Sequence, residues 1–367
     1  MIETIKVGYV LLSSSQYPIP STRIAALNMF PFLRAAQLEP YVVFDPVLNS
    51  ETPDVSGLLA SKLKQDGFRI VVFQKVYGES VVALAHALRL VGIKTVFCVC
   101  DVVDPSMCNA TDVTITVTDH LKSHYASALQ HKIAVVHDGI EHPVLHKSNW
   151  GNHQGSIAQP LRAVLVTSVE LDRLPVLINP HAWLQVTIVG RYPAKSEWLK
   201  RLRQTYWNMN RQRNWAGKLR YLRFLANPRI KRLAWDADGV YAAMLESDIG
   251  IIPIETDPRQ GALGSWQLKS ENRLTLKMAV GLPVIATPIP AYEPVVQQGR
   301  NAFLAQNQAE WLNCLSALRD PALRRSMGQQ ARQTALAEYS MERQAEKLLA
   351  VLGTLIEPGA GEASDLN

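Results

Sequence analysis

Cysteine is scarce in this chain, with four residues in 367. Four cysteines cannot hold a chain of this length together, which excludes the small disulfide-rich class of proteins. Cys98 and Cys100 lie two residues apart in an apolar run, so both side chains are expected on one face of a strand. No second cysteine pair or histidine has zinc-ligand spacing, and we favour reduced core thiols in a cytoplasmic protein over a metal site.

Long hydrophobic runs are also missing. No run approaches the ~18–20 residues of a membrane span, and the longest, 7–12 and 96–100, are as long as strands. The first residues do not combine a basic stretch with an apolar one, so no secretion signal is expected. Hydrophobic residues make up 47% and charged residues 19% of the chain, which predicts a packed protein of two or three domains.

Acidic residues are absent from one segment. The whole chain has 38 Lys and Arg against 32 Asp and Glu, a net charge of +6. Segment 198–235 holds eleven basic residues, no acid and several aromatics; the rest of the chain has a net charge of −5. Such a segment is typical of contact with an anionic membrane surface. A solvated insertion with packed aromatics is the alternative, and a nucleic-acid partner is not expected.

Short β-rich runs alternate with helix-like stretches along the chain. The predicted strands are 5–12, 41–44, 70–73, 95–99, 113–117 and 133–136, then 162–166, 185–189, 230–234, 249–253, 283–286 and 302–304. The predicted helices include 22–36, 80–90, 119–129, 239–246 and 271–280. This alternation predicts an α/β fold of two Rossmann-like, doubly wound parallel-sheet domains that face a cleft, where such sheets bind ligands.

The domain boundaries follow from composition. We predict an N-terminal Rossmann-like domain over 1–145 and a C-terminal one over 160–340, with the polar segment 141–160 as a linker. A C-terminal helix, 341–357, is expected to pack back toward the first domain. The Gly- and Ala-rich residues 358–367 are expected to be a disordered tail.

The run 268–287 carries the strongest chemical signal. It predicts a loop, a helix that ends at Gly281, and a strand. Cations and small polar residues stand where the helix begins: Lys269, Ser270, Asn272 and Arg273. With the backbone N–H groups and the positive end of the helix dipole, they are suited to bind phosphate. An ordinary basic surface turn is the alternative.

This run resembles the donor-site signature of GT-B glycosyltransferases, especially glycosyltransferase family 4. The matching residues are Lys269, Ser270, Asn272, Met278, Ala279, Gly281, Pro283, Val284 and Ala286. Residues 248–253, 292–296 and 138–140 resemble further elements of that family at the right spacing. The family usually has two glutamates eight positions apart around this helix. Leu268 and Leu276 occupy those positions here, which puts ribose and sugar recognition in question.

The resemblance implies a hexosyl- or related glycosyltransferase of polysaccharide biosynthesis. It would move a sugar from a nucleotide-sugar donor, bound by the second domain, to a glycan or lipid-linked acceptor on the side of the first. Retention of anomeric configuration, no metal or other cofactor, and a cytoplasmic, membrane-peripheral location are expected. A catalytically silent nucleotide-sugar-binding module and a GT-B sugar-nucleotide epimerase are the alternatives.

The same resemblance suggests roles for individual residues. Asp101 would contact the acceptor or the transferred sugar, while Lys269 and Arg273 would stabilise the leaving diphosphate. Further donor contacts are expected from Gly190, Arg191, Ser270, Asn272 and Glu293. The acceptor-side candidates are Ser14, Arg23 and Lys75. Lys75 follows the third predicted strand and Asp101 the fourth, so both are expected at one edge of the first sheet. Arg173 and Lys195 are weaker phosphate candidates.

Asp236 and Asp238 form an Asp-x-Asp pair, the metal motif of a different glycosyltransferase class. Here the pair precedes a predicted helix, so we interpret either Asp as a helix N-cap and predict no metal site. The phosphate-binding loop, zinc-protease and nucleophile-elbow motifs are absent from the sequence, which disfavours those enzyme classes.

Overall fold

The computed structural model describes residues 4–167, 180–193, 196–212, 214–256 and 264–356, apart from the side chains of 237 and 238. Its strands form two six-stranded sheets in which every described pairing is parallel. By their internal contacts, residues Met1–Glu141, Arg259–Glu271 and Tyr339–Asn367 form a first unit, and His142–Pro258 with Asn272–Glu338 form a second. The predicted α/β fold of two Rossmann-like domains is confirmed.

The first sheet consists of β1 Ile5–Val10, β2 Leu38–Phe44, β3 Phe68–Gln74, β4 Lys94–Val99, β5 Val113–Thr116 and β6 Ile133–Val135. Their order is β2-β1-β3-β4-β5-β6. The helices are α1 Pro20–Ala25, α2 Phe30–Ala35, α3 Ala60–Gln65, α4 Glu79–Leu90, α5 Pro105–Ala110 and α6 Asp119–Ser123. Pro40 lies in β2, at the edge of the sheet, where a missing N–H is tolerated.

The second sheet consists of β7 Leu161–Val166, β8 Leu184–Gly190, β9 Ile230–Ala234, β10 Ile249–Ile252, β11 Val284–Ala286 and β12 Phe303–Leu304. Their order is β12-β11-β10-β7-β8-β9. The later helices are α7 Trp198–Asn210, α8 Trp215–Ala226, α9 Ala237–Glu246, α10 Asn272–Ala279, α11 Gln308–Ala317, α12 Pro321–Tyr339 and α13 Met341–Ile356. None of the described helices is both long and apolar enough to cross a bilayer.

The first sheet is covered on both faces. Phe73 and Phe97 belong to one buried cluster, and Tyr9 belongs to a second cluster on the other face. The second cluster includes Leu348 and Leu352 of α13, which are almost fully buried. Each such leucine stabilises the fold by about 1.5–3 kcal/mol. The C-terminal helix is therefore an integral layer of the first unit.

The segment that follows Glu141 is not a bare linker. The indole N–H of Trp150 donates to the Gly281 carbonyl oxygen at 2.7 Å, and both residues belong to the second unit. The buried Lys147 ammonium donates to the carbonyl oxygens of Leu245 and Ser247. The polar composition that suggested a linker instead satisfies backbone oxygens inside the second unit.

Two local predictions need correction. The single helix predicted over 22–36 is broken into α1, a 3-10 turn at Leu27–Met29 and α2. Pro31 explains the break, because it has no N–H to donate to a carbonyl one turn earlier. The stretch 119–129 is likewise shorter as a helix, with a 3-10 helix at Ser127–Lys132. The expected tail 358–367 lies outside the described residues.

Candidate functional site

Polar side chains gather where the strands of the first sheet end. Lys75 directly follows β3 and adopts a left-handed backbone with φ of 56°. Its N–H donates to the Cys98 carbonyl oxygen at 2.8 Å, which fixes the residue against β4. A left-handed non-glycine residue costs about 1–2 kcal/mol, and such strain is concentrated at functional sites. The strain marks Lys75 as a residue whose position is specified by its surroundings.

Two carboxylates hold the Lys75 ammonium. Its Nζ lies 2.8 Å from Asp101 and 3.1 Å from Glu51, and the Tyr77 hydroxyl donates to Glu51 at 2.6 Å. Burial alone lowers the pKa of Lys75, but Cys100, Asp101 and Glu51 together raise it above its usual value. Lys75 therefore stays protonated, and the sheet edge carries a charged network.

Asp101 stands at the position that the sequence indicated, just past the end of β4. It is exposed, whereas its partner Lys75 is buried. The prediction that Lys75 and Asp101 share one sheet edge is confirmed by their ion pair. A carboxylate held by a buried lysine and open to solvent has the geometry to accept a hydrogen bond from a hydroxyl-bearing ligand.

A second polar group at this edge was missed by the sequence analysis. His137 follows β6, and its Nδ1 lies 2.8 Å from the Val117 carbonyl oxygen and 2.7 Å from Glu271 Oε1. Because a carbonyl oxygen can only accept, this nitrogen carries a hydrogen. Glu271 is almost fully buried. The pair fixes the imidazole ring and ties residue 271 to the end of the first sheet.

Asp138, beside His137, is a buried carboxyl group with an unusual proton affinity. Burial and then the charge of Glu271 raise its pKa to about 7, while Ser270 and His137 act in the opposite direction. The sequence placed Asp138 in a family motif without an ionisation role. At neutral pH it can release or take up a proton, which is the property required of a general acid or base.

These groups border a small concavity in the first unit. Its polar wall includes Lys75, His137 and Asp138, and its apolar wall includes Met29 and Leu348. Cys98 and Cys100 also line it, as expected for two cysteines on one face of a strand. All four cysteines are free, and burial raises the pKa of the Cys98 thiol to about 12. The thiols are therefore inert lining groups.

The predicted phosphate loop ends in this unit. Leu268 is buried in a hydrophobic cluster of the first unit, which explains an apolar residue where the family usually has glutamate. Lys269 and Ser270 are half-buried, and Ser270 hydrogen-bonds Asp138. Glu271, which lies between the family's two glutamate positions, is paired with His137.

Asn272 and Arg273 begin α10, which belongs to the second unit. Both are half-buried, and Gly281 follows the helix with φ of 87°, as predicted for a C-terminal cap. Lys277 on this helix was not singled out by the sequence analysis. It is almost fully buried, and burial and then Arg273 lower its pKa to about 7.

The other donor candidates follow strands of the second sheet, at or beyond the strand end. Gly190 ends β8, and a Cβ there would lie 2.7 Å from the Thr167 carbonyl oxygen, so a larger residue does not fit. Arg191 is exposed, and so is Glu293 in the loop that follows β11. Arg173 and Lys195 lie outside the described residues.

The acceptor-side candidates differ in their surroundings. Arg23 is already engaged in the first unit, with Glu141 Oε1 2.5 Å from its Nε and Oε2 3.0 Å from its Nη2. Ser14 is half-buried, and its hydroxyl accepts from the Gln16 N–H at 3.2 Å. Of the three candidates, Lys75 alone has a contact with Asp101 among the described side-chain pairs.

Asp236 is a helix cap, as the sequence indicated. Its Oδ1 accepts the Gly239 N–H at 2.6 Å where α9 begins. This contact satisfies one of the free N–H groups of the first turn. The Asp238 side chain lies outside the described part of the chain.

Comparison with known proteins agrees with this architecture. Residues 171–350, just under half of the chain, match the family described as "Glycosyl transferase-like". The sequence matches none of the curated proteins compared with it.

Solved structures share the two-domain fold at low sequence identity. HepE of Anabaena in complex with UDP-glucose matches at 13% identity and a TM-score of 0.64, over 95% of this chain and 100% of its own. A glycosyltransferase of Rickettsia africae ESF-5 matches at 14% and 0.65, over 96% and 99%. The lipopolysaccharide outer core galactosyltransferase WaaB matches at 10% and 0.60, over 95% and 99%. The fold is GT-B, and with the family match it supports a glycosyltransferase.

Proposed function

We propose that this protein transfers a hexosyl or related sugar from a nucleotide-sugar donor to a glycan or lipid-linked acceptor, as a member of glycosyltransferase family 4. One observation carries the proposal: the glycosyltransferase-like match spans the loop and helix start with Lys269 and Arg273. The Anabaena neighbour was solved with UDP-glucose, which makes a nucleoside diphosphate sugar the first donor class to test.

The leaving nucleoside diphosphate develops negative charge as the glycosidic bond breaks. Lys269, Arg273 and the N–H groups that open α10 would stabilise it, since preorganised charges are the largest contribution in such reactions. Further donor contacts are assigned to Gly190, Arg191, Ser270, Asn272 and Glu293. Asp101 is assigned to the acceptor or the transferred sugar, beside Lys75 on the first sheet.

Transfer is proposed to retain anomeric configuration and to need no metal. Asp236, the first residue of the Asp-x-Asp pair, caps α9. The expected result is full activity in EDTA. Loss of activity on chelation, restored by Mn²⁺ or Mg²⁺, would contradict the metal-independent mechanism.

The proposed location is the cytoplasm, at the inner face of a membrane. A lipid-linked acceptor is confined to such a surface, and segment 198–235 carries eleven cations and no acid. Cations near an anionic leaflet are each stabilised by up to about 1 kcal/mol.

A thermal-shift screen with UDP, GDP, ADP, CMP, dTDP and their sugars tests donor binding, because a ligand that binds the folded state raises the melting temperature. Product analysis with the stabilising donor then tests transfer and the anomeric outcome. One nucleotide family should stabilise the protein, and its sugar should be transferred. Stabilisation by none of them would overturn the proposal, and release of an epimerised nucleotide sugar would assign the chain as an epimerase.

A silent nucleotide-sugar-binding module is the second candidate. The observation that favours it is the pair of leucines at the family's glutamate positions: Leu268 is buried in a core and Leu276 is half-buried. Neither residue supplies the family's ribose-binding carboxylate. Donor binding without transfer or hydrolysis across a broad acceptor panel would support this candidate over the enzyme.

A further inference from the structure

The helices α7 and α8, Trp198–Asn210 and Trp215–Ala226, form what we name the basic helix pair. They are joined in the second unit, where the Asn208 amide donates to the Tyr221 hydroxyl at 3.2 Å. α8 is anchored by Tyr221 and Phe224, which are buried in the core of that unit. Its other side, and most of α7, faces solvent.

Large apolar side chains cover the exposed side. On α7, which has no buried residue, Leu199, Leu202 and Tyr206 are all more than half exposed. Their spacing of three and four residues places them on one helix face. On α8, Trp215 and Leu219 form a second exposed apolar stripe, and Trp215 is 77% exposed. Contiguous exposed apolar stripes mark interaction surfaces.

Cations flank both stripes. Lys200, Arg203 and Arg223 are exposed on the two helices, and Lys218 lies 5.2 Å above the Trp215 ring. Arg211 lies 4.8 Å above the Trp207 ring in the same way. Long cationic side chains beside interfacial aromatics can extend toward lipid phosphates while their stems cover apolar surface.

We propose that the basic helix pair binds an anionic lipid membrane, with its leucines and aromatics in the headgroup region and its cations on lipid phosphates. The proposal rests on the membrane location proposed above and is independent of sugar transfer. Charge complementarity selects the partner, since no acid lies between 198 and 235. A second copy of the pair would bring like charges together, and a nucleic-acid backbone offers nothing apolar to the leucines.

Cosedimentation with vesicles tests the proposal without measuring chemistry. One vesicle type contains about one third phosphatidylglycerol in phosphatidylcholine, and the other contains phosphatidylcholine alone. The charge variant is Lys200→Gln, Arg203→Gln, Arg211→Gln and Arg223→Gln. The apolar variant is Leu199→Gln, Leu202→Gln, Leu219→Gln and Leu222→Gln. Glutamine is a good helix former, and circular dichroism checks that both variants fold.

Two controls carry the same number of changes elsewhere on the surface. The control for charge is Lys64→Gln, Arg69→Gln, Lys94→Gln and Arg325→Gln, all exposed residues. The control for apolar area is Val47→Gln, Leu48→Gln, Leu90→Gln and Ile157→Gln, also exposed. The charge control removes the same net charge as its partner, and the apolar control removes apolar side chains that are more exposed than those of its partner.

Wild type and both controls should bind the anionic vesicles and not the neutral ones, with release by salt. Both surface variants should bind at least about tenfold more weakly, since cations near the leaflet and leucines buried in the headgroup region both contribute to binding. Equal binding of wild type to both vesicles, or to neither, would overturn the proposal. So would equal losses in a surface variant and its control, or tight salt-sensitive binding to RNA without vesicle binding.

Discussion

The carboxyl edge of the first sheet and the basic helix pair differ in whether their charged side chains are buried and paired or exposed. At the sheet edge, Lys75 is buried between two carboxylates and His137 faces a buried glutamate. On the helix pair, Lys200, Arg203 and Arg223 are exposed, and no acid lies within segment 198–235. Unpaired buried charge is costly, whereas exposed charge is screened by water. The charges of the sheet edge therefore affect folding stability and the pKa values of buried groups, whereas the charges of the helix pair are accessible to a binding partner.

The largest expected effect concerns the pH dependence of Asp138. Its folded-state pKa of about 7 lies above that of an exposed Asp, so the folded protein binds this proton more tightly than the unfolded chain does. Its contribution to stability is fully present below about pH 4 and is lost as pH rises to about 7. Asp138→Asn should flatten that decline by up to about 1.4 kcal/mol per pH unit in urea unfolding.

Glu271→Gln sharpens this test. Removing the Glu271 charge should lower the pKa of Asp138, which an NMR titration of its carboxyl carbon would measure directly. An unchanged titration of Asp138 in this variant would show that burial acts without Glu271. Identical pH profiles for wild type and Asp138→Asn would contradict the shifted pKa itself.

The next effect is the loss of the Lys75 ion pairs. Lys75→Met leaves Glu51 and Asp101 without their shared cation and should lower the free energy of unfolding by about 2 kcal/mol. The figure is below that of a fully buried pair because both carboxylates are partly exposed. Chemical denaturation at unchanged slope measures the difference. The control Lys200→Met should change the free energy of unfolding by less than about 0.5 kcal/mol. Equal losses for Lys75→Met and Lys200→Met would show that the two regions do not differ in how charge affects stability.

Lys277 tests whether an unpaired buried amino group lowers stability, because it has no carboxylate partner among the described salt bridges. Its lowered pKa means that the unfolded chain binds this proton more tightly, so stability should rise between about pH 7 and pH 10. Lys277→Met should remove that rise and increase the free energy of unfolding at pH 7 by about 1 kcal/mol or more. A loss of stability would indicate a stabilising role for the ammonium.

The smallest expected effect is on the stability of the basic helix pair. The charge variant combines four substitutions: Lys200→Gln, Arg203→Gln, Arg211→Gln and Arg223→Gln. Its free energy of unfolding should differ from that of wild type by less than about 0.5 kcal/mol, because exposed charges contribute little to stability. Thermal and urea unfolding measure this shift. A loss of several kcal/mol would mean that these cations stabilise the fold and would remove the contrast with the sheet edge.

Much of the fold could be predicted because its strands are short, apolar and regularly interrupted. The proximity of Lys75 and Asp101 could also be predicted. They follow the neighbouring parallel strands β3 and β4, and the carboxyl ends of parallel strands meet at one edge of a sheet. The contact between His137 and Glu271 escaped prediction because the two residues lie 134 positions apart in the sequence. Their contact depends on where the loop before α10 folds, which no local pattern specifies.

Other features were hidden for local reasons. The apolar periodicity predicted one continuous helix across Pro31. Pro31 has no N–H, so the helical hydrogen bonds are interrupted there. The exposed apolar stripes of α7 and α8 have the same composition as stripes that face a core. The sequence alone therefore did not distinguish contact with a membrane from aromatics packed on the domain. On one helix Tyr221 is buried and Trp215 is exposed, so some aromatics of the segment pack on the core and others face solvent.

Calorimetric titration of the donor site tests the functional account most directly. Wild type, Lys269→Met, Arg273→Met and the control Lys64→Met are titrated with the nucleoside diphosphate that stabilises the protein in the thermal screen. Each of the two site variants should lose about 1.5–3 kcal/mol of binding free energy, as expected for hydrogen bonds to a charged group, while the control binds like wild type. Unchanged affinity in both site variants would remove this loop from the donor site and contradict the account.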